Sequence, residues 1–181
     1  EGSRLFRKQL FENELWVPLR NADIRKLYLD ENGVSLDPSI YTKDIISEAY
    51  GFNVYKNFMA FMDGLVGTST IAEWKPMPYD WRLSLDEILD NPIALEAGNS
   101  YNMISEIERL AENSKTGKVT IITHSNGGLV GKRLLQRLEA EGKAGLVDRL
   151  ILVAVPQLGT PAAIAGLLHG YKQDVGKTIL A

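Results

Sequence analysis

Ser125 is the residue of this chain whose surroundings most suggest chemistry. It lies in THSNGG, residues 123–128, between the apolar run that ends at Ile122 and a helix-like pattern. The stretch approximates G-x-S-x-G, the nucleophile elbow, in which a sharp strand-to-helix turn lifts the serine hydroxyl above a sheet. Ser125 would attack a carbonyl carbon, and the backbone N–H of Asn126 would donate to the resulting oxyanion. Thr123 occupies the position of the first glycine, so a modest β-branched side chain must fit there.

Small residues between a strand and a helix also occur in other kinds of site. A dinucleotide-binding loop needs an acidic residue near the end of the next strand, but Asp148 lies at the beginning of that strand. A P-loop is disfavoured because Gly131-Lys132-Arg133 lacks the metal-binding hydroxyl, and the glycines at 170 and 176 follow a helical pattern. A serine that merely caps a helix, beside glycines that permit close packing, remains the structural alternative.

A serine nucleophile needs a base, and the chain has only two histidines, His124 and His169. Successive residues at a tight turn point apart, so His124 is a poor base for Ser125, and a supporting or packing role suits it better. His169 ends a helical pattern, where interaction with the helix dipole is the simpler explanation. No acid after Ser125 follows a further strand; these acids are Glu139, Glu141, Asp148 and Asp174. We therefore expect the acid and the base to lie in sequence that this chain does not contain.

The elements that must position Ser125 can be read from periodicity. Strands are predicted at 118–123 and 150–155, with a helix over about 127–141 between them. Such short connections favour a right-handed parallel unit, and the unbroken apolar run at 150–155 predicts a strand that is covered on both faces. The predicted fold class is α/β, a three-layer parallel sheet with helices on both faces, in a single domain over residues 1–181.

Upstream elements follow from the same patterns. Short helices are predicted over 21–28 and 50–64, a short strand over 71–74, and a helix from Asn99 or Ser100 to about 116. A final helix is predicted to begin at Pro161, a residue favoured in the first turn.

Composition excludes several classes of function. The 181 residues are 45% hydrophobic with a formal net charge of −3 and no stripe of Lys and Arg, so no nucleic-acid partner is expected. No apolar run approaches the roughly 20 residues that would cross a bilayer. The absence of cysteine excludes disulfides and Cys-based zinc sites, and we expect no metal or organic cofactor. Nothing in the sequence indicates the compartment.

Two stretches that flank THSNGG carry a family resemblance. MPYDWRLS, residues 77–84, precedes it, and VAVPQLGTP, residues 153–161, follows it. In this order the three stretches resemble the lecithin:cholesterol acyltransferase-like branch of the α/β-hydrolase superfamily, which contains lipases, phospholipases and acyltransferases. The resemblance implies a lipid-like ester as substrate and an acyl-Ser125 intermediate. It also implies a lid or cap in residues 156–181.

The resemblance also bears on the beginning of the chain. Residues 1–5, EGSRL, are similar to the tail of the family's P-G-x-x-G-S segment, a strand-to-helix loop that supplies the second oxyanion donor. That donor would be lost or located at Glu1. The implied triad order is Ser, then Asp or Glu, then His, so Asp80, which precedes Ser125, is excluded as the acid. We expect Asp80 to hold a loop through Arg82 or backbone N–H groups.

Further expectations concern Trp81, two acidic pairs and the behaviour of the isolated chain. Trp81 would form part of an acyl-pocket wall, with an ordinary core position as the alternative. The pairs Asp86-Glu87 and Glu106…Glu108 would be solvated helix faces or caps. Without an acid and a base, the isolated chain would be nearly inactive, and its exposed sheet edges would promote self-association or recruit an ordering partner. The competing function is a non-catalytic, hydrolase-like binding module.

Overall fold

The structure is a computed structural model that describes residues 2–8, 12–18 and 21–161. Its strands are β1 (Ser3–Lys8), β2 (Glu12–Trp16), β3 (Ile40–Ile45), β4 (Glu48–Ala49), β5 (Phe52–Asn53), β6 (Ile93–Ala94), β7 (Ser100–Tyr101), β8 (Val119–His124) and β9 (Val147–Val153). Its helices are α1 (Asn21–Arg25), α2 (Lys56–Gly67), α3 (Leu85–Asp90), α4 (Met103–Asn113) and α5 (Gly127–Ala140).

The N-terminal residues build a three-stranded antiparallel sheet in the order β2-β1-β3. Leu5 on the central strand pairs with Trp16 on one side and Thr42 on the other. Its side chain is fully buried in a small core with Leu15, Leu27 and Ile40. Residues 3–8 are therefore a strand within a sheet, whereas residue 1, the expected location of a second oxyanion donor, lies outside the described residues. The sequence did not predict this strand, because its pairing partners lie far away along the chain.

The unit β8–α5–β9 carries THSNGG, and it forms as predicted. The two strands are parallel, with Ile122 opposite Ile151 and His124 opposite Val153. α5 buries Val130, Leu134 and Leu138, which recur every four residues and so lie on one face. That face packs in a core with buried residues of α3, β6 and α4, namely Ile88, Leu89, Ile93, Met103 and Ile107. The α/β character of the chain is thus confirmed.

The second face of this two-stranded sheet is not covered within the described residues. Ile122, Ile151 and Val153 are 42%, 42% and 46% exposed. The predicted coverage of β9 on both faces is therefore not observed, and the sheets are small and separate. An apolar run indicates that a strand is suited to burial, but it does not specify what covers each face.

Several element boundaries differ from those predicted. The helix expected over 50–64 spans Lys56–Gly67, because residues 48–53 form the β4–β5 hairpin. Residues 71–74 form no strand. The helix expected from Asn99 or Ser100 begins at Met103, because the Asn102 side chain accepts hydrogen bonds from the N–H groups of Ile104 and Ser105.

The helix predicted to begin at Pro161 falls mostly on residues 162–181, outside the described residues. No helix in the described ranges is long and apolar enough to cross a membrane.

Candidate active site

Ser125 occupies a sharp turn between the end of β8 and the beginning of α5. Its φ is +52°, in the left-handed region, which costs a non-glycine residue about 1–2 kcal/mol. Two backbone hydrogen bonds hold this conformation: Ser125 N–H donates to Val153 O at 3.0 Å, and Gly128 N–H donates to Ser125 O at 3.0 Å. Strained backbone of this kind is concentrated at functional sites, where the surrounding structure enforces it.

Two glycines of α5 allow the helix to approach the strands closely. A Cβ atom on Gly131 would lie 2.9 Å from Thr123 Cγ2 and 3.1 Å from Leu150 Cδ1, closer than side chains tolerate. A Cβ atom on Gly128 would overlap Val155, which follows β9. Thr123, in place of the elbow's first glycine, is thus accommodated by the missing side chain of Gly131.

Asn126 precedes the first turn of α5 with helical backbone angles, φ −53° and ψ −30°. Its backbone N–H has no acceptor among the described residues. The N-terminus of a helix carries a partial positive charge, so an oxygen that develops negative charge near Ser125 would be stabilised there. The oxyanion role of Asn126 stays a prediction.

His124, the residue before Ser125, makes its side-chain contact with Tyr55. Its Nδ1 atom lies 2.7 Å from Oη of Tyr55, and the two rings meet edge to face. Tyr55 directly precedes α2 and also touches the N-terminal segment, because a Cβ atom on Gly2 would lie 3.1 Å from Tyr55 Oη. Neither Tyr55 nor Gly2 was singled out from the sequence, since 69 residues separate Tyr55 from His124 and no local pattern marks such a contact.

The PYDWR stretch borders the turn and is rigidly held. Arg82, whose side chain is only 4% exposed, forms two hydrogen bonds to Asp80, at 2.8 and 2.6 Å. The same guanidinium donates to Leu27 O and Ser35 Oγ, both at 3.2 Å. The Asp80–Arg82 pair thus fixes this loop against the N-terminal region, the role expected for Asp80.

Tyr79 connects this loop to the elbow. Its N–H donates to Ser3 Oγ at 3.1 Å, and a Cβ atom on Gly127 would lie 3.6 Å from its Oη. Trp81, two residues further on, packs edge to face on Trp16, with ring centroids 5.1 Å apart, against the N-terminal core. Its role in an acyl pocket stays a prediction.

An ionic cluster anchors the segment that leads into PYDWR. Glu106, expected to be solvated, is buried and pairs with Arg109 at 2.7 Å and Lys75 at 3.0 Å. Burial raises the pKa of Glu106, but the hydrogen bonds from Arg109 and Lys75 outweigh burial, so the pKa is lowered overall. Tyr101 donates to Pro78 O at 2.6 Å, and burial raises the pKa of its hydroxyl. The expectation that Glu106 and Glu108 lie on a solvated face or cap is therefore wrong for Glu106, because its carboxylate is buried against two cations.

The described residues do not complete a triad around Ser125. His124 is the only histidine among them, whereas His169, Asp174 and Glu1 lie outside the described residues. Within the described ranges, no group of three or more His, Asp or Glu side chains is placed to hold a metal ion.

Comparison with known protein families shows to which family the chain belongs. The family model of lecithin:cholesterol acyltransferase matches residues 44–180. The chain belongs to the lecithin:cholesterol acyltransferase family. The matched range contains PYDWR, the elbow and the segment after β9, which confirms the resemblance that these stretches carry. It begins at residue 44, near the end of β3, and does not include residues 1–5, so their similarity to an oxyanion segment remains a prediction.

Membership of the lecithin:cholesterol acyltransferase family supports hydrolase or acyltransferase activity on lipid-like substrates in general terms. No curated protein and no solved structure matches the chain.

Proposed function

We propose that the chain carries the nucleophile of a serine hydrolase or acyltransferase that acts on lipid-like carboxylic esters. The observation that carries the proposal is the left-handed backbone of Ser125 at the sharp turn between β8 and α5. A serine that only capped the helix would have extended backbone and would accept from a helix N–H through its side chain. The helix instead begins after Asn126, which makes no side-chain cap.

The chemistry follows from this geometry. Ser125 Oγ attacks the ester carbonyl carbon while a base takes the hydroxyl proton. The carbonyl oxygen becomes an oxyanion facing the N–H of Asn126. The carbon–oxygen bond to the alcohol then breaks, the alcohol leaves with the proton from the base, and acyl-Ser125 remains. Water or a second alcohol attacks the acyl-enzyme in the same way and frees Ser125.

The acid and the base of this reaction lie outside the described residues in the proposed mechanism. His124 is adjacent to Ser125, and its Nδ1 is engaged by Tyr55. We therefore propose that the 181-residue chain alone reacts slowly. A fluorophosphonate adduct that forms on Ser125 of this chain within minutes would show that a base is present and would refute this part.

A non-catalytic, hydrolase-like binding module is the second candidate, because the described residues complete no triad around Ser125. Steady-state hydrolysis of p-nitrophenyl esters by the full-length natural protein separates the two functions. The hydrolase predicts turnover that falls roughly 10³-fold or more in Ser125→Ala, while Ser105→Ala, on an exposed helical position, keeps wild-type rates. No turnover by the wild-type protein, or full turnover by Ser125→Ala, would overturn the proposal.

We also propose that the uncovered face of β8 and β9 is where a second helical layer of the three-layer fold would lie. α2 has no buried residue, and Phe58 and Phe61 are exposed on it. Ile122, Ile151 and Val153 are exposed as well, and exposed apolar side chains of this kind favour association with another surface. The 181-residue chain should therefore self-associate, and a monodisperse monomer in light scattering would contradict this. The lid or cap in residues 156–181 is likewise proposed.

A further inference from the structure

Tyr55 joins the residue before Ser125 to the N-terminal segment. Its Oη lies 2.7 Å from His124 Nδ1, and a Cβ atom on Gly2 would lie 3.1 Å from the same oxygen. The backbone N–H of Tyr55 donates to the carbonyls of Ile46 and Ser47, at 3.2 and 3.1 Å. These hydrogen bonds hold the backbone of Tyr55. Its hydroxyl contacts two segments, at Gly2 and at His124, that are more than 120 residues apart in sequence.

The N-terminal segment is held from its other side as well. Gly2 O accepts from the N–H of Ile46 at 2.9 Å. Ser3, which is buried, accepts from Tyr79 N–H through its Oγ. Tyr79 in turn places its hydroxyl beside Gly127, on the helix side of the elbow. Two tyrosines therefore connect residues 2 and 3 with the elbow, Tyr55 through His124 and Tyr79 beside Gly127.

We propose that Tyr55 and His124 are positioning residues that set the distance between the N-terminal segment and Ser125. The inference rests on the proposed function and on the resemblance of residues 1–5 to the family's oxyanion segment, which would bring the second donor to the oxyanion that faces Asn126 N–H. Oxyanion donors act only within about 2.7–3.1 Å of the oxygen, and a misplacement of 1 Å can cost roughly 10²-fold in rate. Tyr55 lies beside Gly2, and His124 directly precedes Ser125. The hydrogen bond between Tyr55 and His124 therefore controls the distance between the N-terminal segment and Ser125.

Either group can donate in this hydrogen bond, depending on the tautomer of His124. In the proposed arrangement Tyr55 O–H donates to His124 Nδ1, and the ring proton lies on Nε2. His124 is exposed at the strand end, so Nε2–H can be solvated while Nδ1 is occupied. Neither group touches the reacting atoms, so both act through the placement of others.

Kinetics of ester hydrolysis by the full-length natural protein test the inference. Tyr55→Phe removes only the hydroxyl, and His124→Leu removes the acceptor. Each should lower kcat about 10- to 100-fold with KM unchanged, because oxyanion contacts form in the transition state. The double variant should be no slower than the slower single variant, as expected for partners in one hydrogen bond. His124→Asn, which offers an oxygen near the position of Nδ1, should recover part of the lost kcat.

Controls keep the outcome interpretable. Tyr50→Phe removes a hydroxyl that donates to Pro18 O, away from the elbow, and should leave kcat unchanged. Wild-type kcat in Tyr55→Phe, with Ser125→Ala inactive, would overturn the positioning role and leave the proposed function intact. Activity that persists in Ser125→Ala would overturn the proposed function itself. Additive losses accompanied by a raised KM and a lowered Tm would show a merely structural role and would also overturn the inference.

Discussion

Gly128 lies against Val155 so closely that a Cβ atom on the glycine would be 2.6 Å from Val155 Cγ1 and closer still to Cγ2. The first turn of α5 therefore packs directly on the chain that leaves β9. Ser125 also donates its N–H to Val153 O at the end of β9. The contact at Gly128 and this hydrogen bond together hold the turn around Ser125 against β9.

Gly128→Ala should destabilise the protein. The added methyl group meets a branched side chain that follows a strand, so the helix or the strand must shift, at a cost of about 1–3 kcal/mol in the free energy of unfolding. Gly127→Ala is the matched control, since its Cβ would lie 3.6 Å from Tyr79 Oη, an ordinary contact. Urea denaturation measures both. Equal stability of the two variants would contradict the close approach at Gly128.

Ser125 stores backbone strain that glycine would relieve. Ser125→Gly should unfold with a free energy about 1 kcal/mol higher than Ser125→Ala, because alanine shares the left-handed penalty and glycine does not. Both variants lack the hydroxyl, so the comparison separates strain from chemistry. A glycine variant no more stable than the alanine variant in denaturant melts would show that Ser125 is not strained.

The pH dependence of stability should have a contribution from Glu106. Its pKa is lower in the folded protein than the ordinary value of 4.5, so the unfolded chain binds the proton more readily. The stabilisation is complete above pH 4.5 and is lost as the pH falls through the folded pKa.

Glu106→Gln should therefore unfold with a free energy that depends less steeply on pH below 4.5, and at neutral pH it should be about 1 kcal/mol less stable than the wild type. Glu108→Gln is the comparison. The Glu108 side chain is 37% exposed in its pair with Lys143, so its loss should lower the free energy of unfolding less. Identical acid profiles for wild type and Glu106→Gln would refute the assignment.

The sequence predicts the part of the fold in which neighbouring elements pack on each other. β8, α5 and β9 follow one another within 35 residues, and the apolar period of α5 places Leu134 and Leu138 on the buried face. The N-terminal sheet could not be predicted in this way. Leu5 pairs with Thr42, and nothing local to either residue specifies the other.

The same distinction applies to the site: residues close together in sequence could be predicted, and contacts between distant residues could not. Ser125, Asn126 and the glycines are recognisable because one short turn contains them. The contacts of Tyr55 with His124 and of Tyr79 with Ser3 join distant parts of the chain. Tyr79 lies in the recognised PYDWR stretch, but nothing local to either tyrosine specifies its partner. The interpretation of residues 71–74 as a strand failed for a related reason, because a β-prone run forms a strand only where a partner lies beside it.

Covalent labelling tests most directly whether Ser125 is the nucleophile. The full-length natural protein, treated with a fluorophosphonate and analysed by intact mass and peptide mapping, should gain one adduct on Ser125, and Ser125→Ala should gain none. An adduct on another residue, or a labelled Ser125→Ala variant that still hydrolyses esters, would contradict the assignment of Ser125.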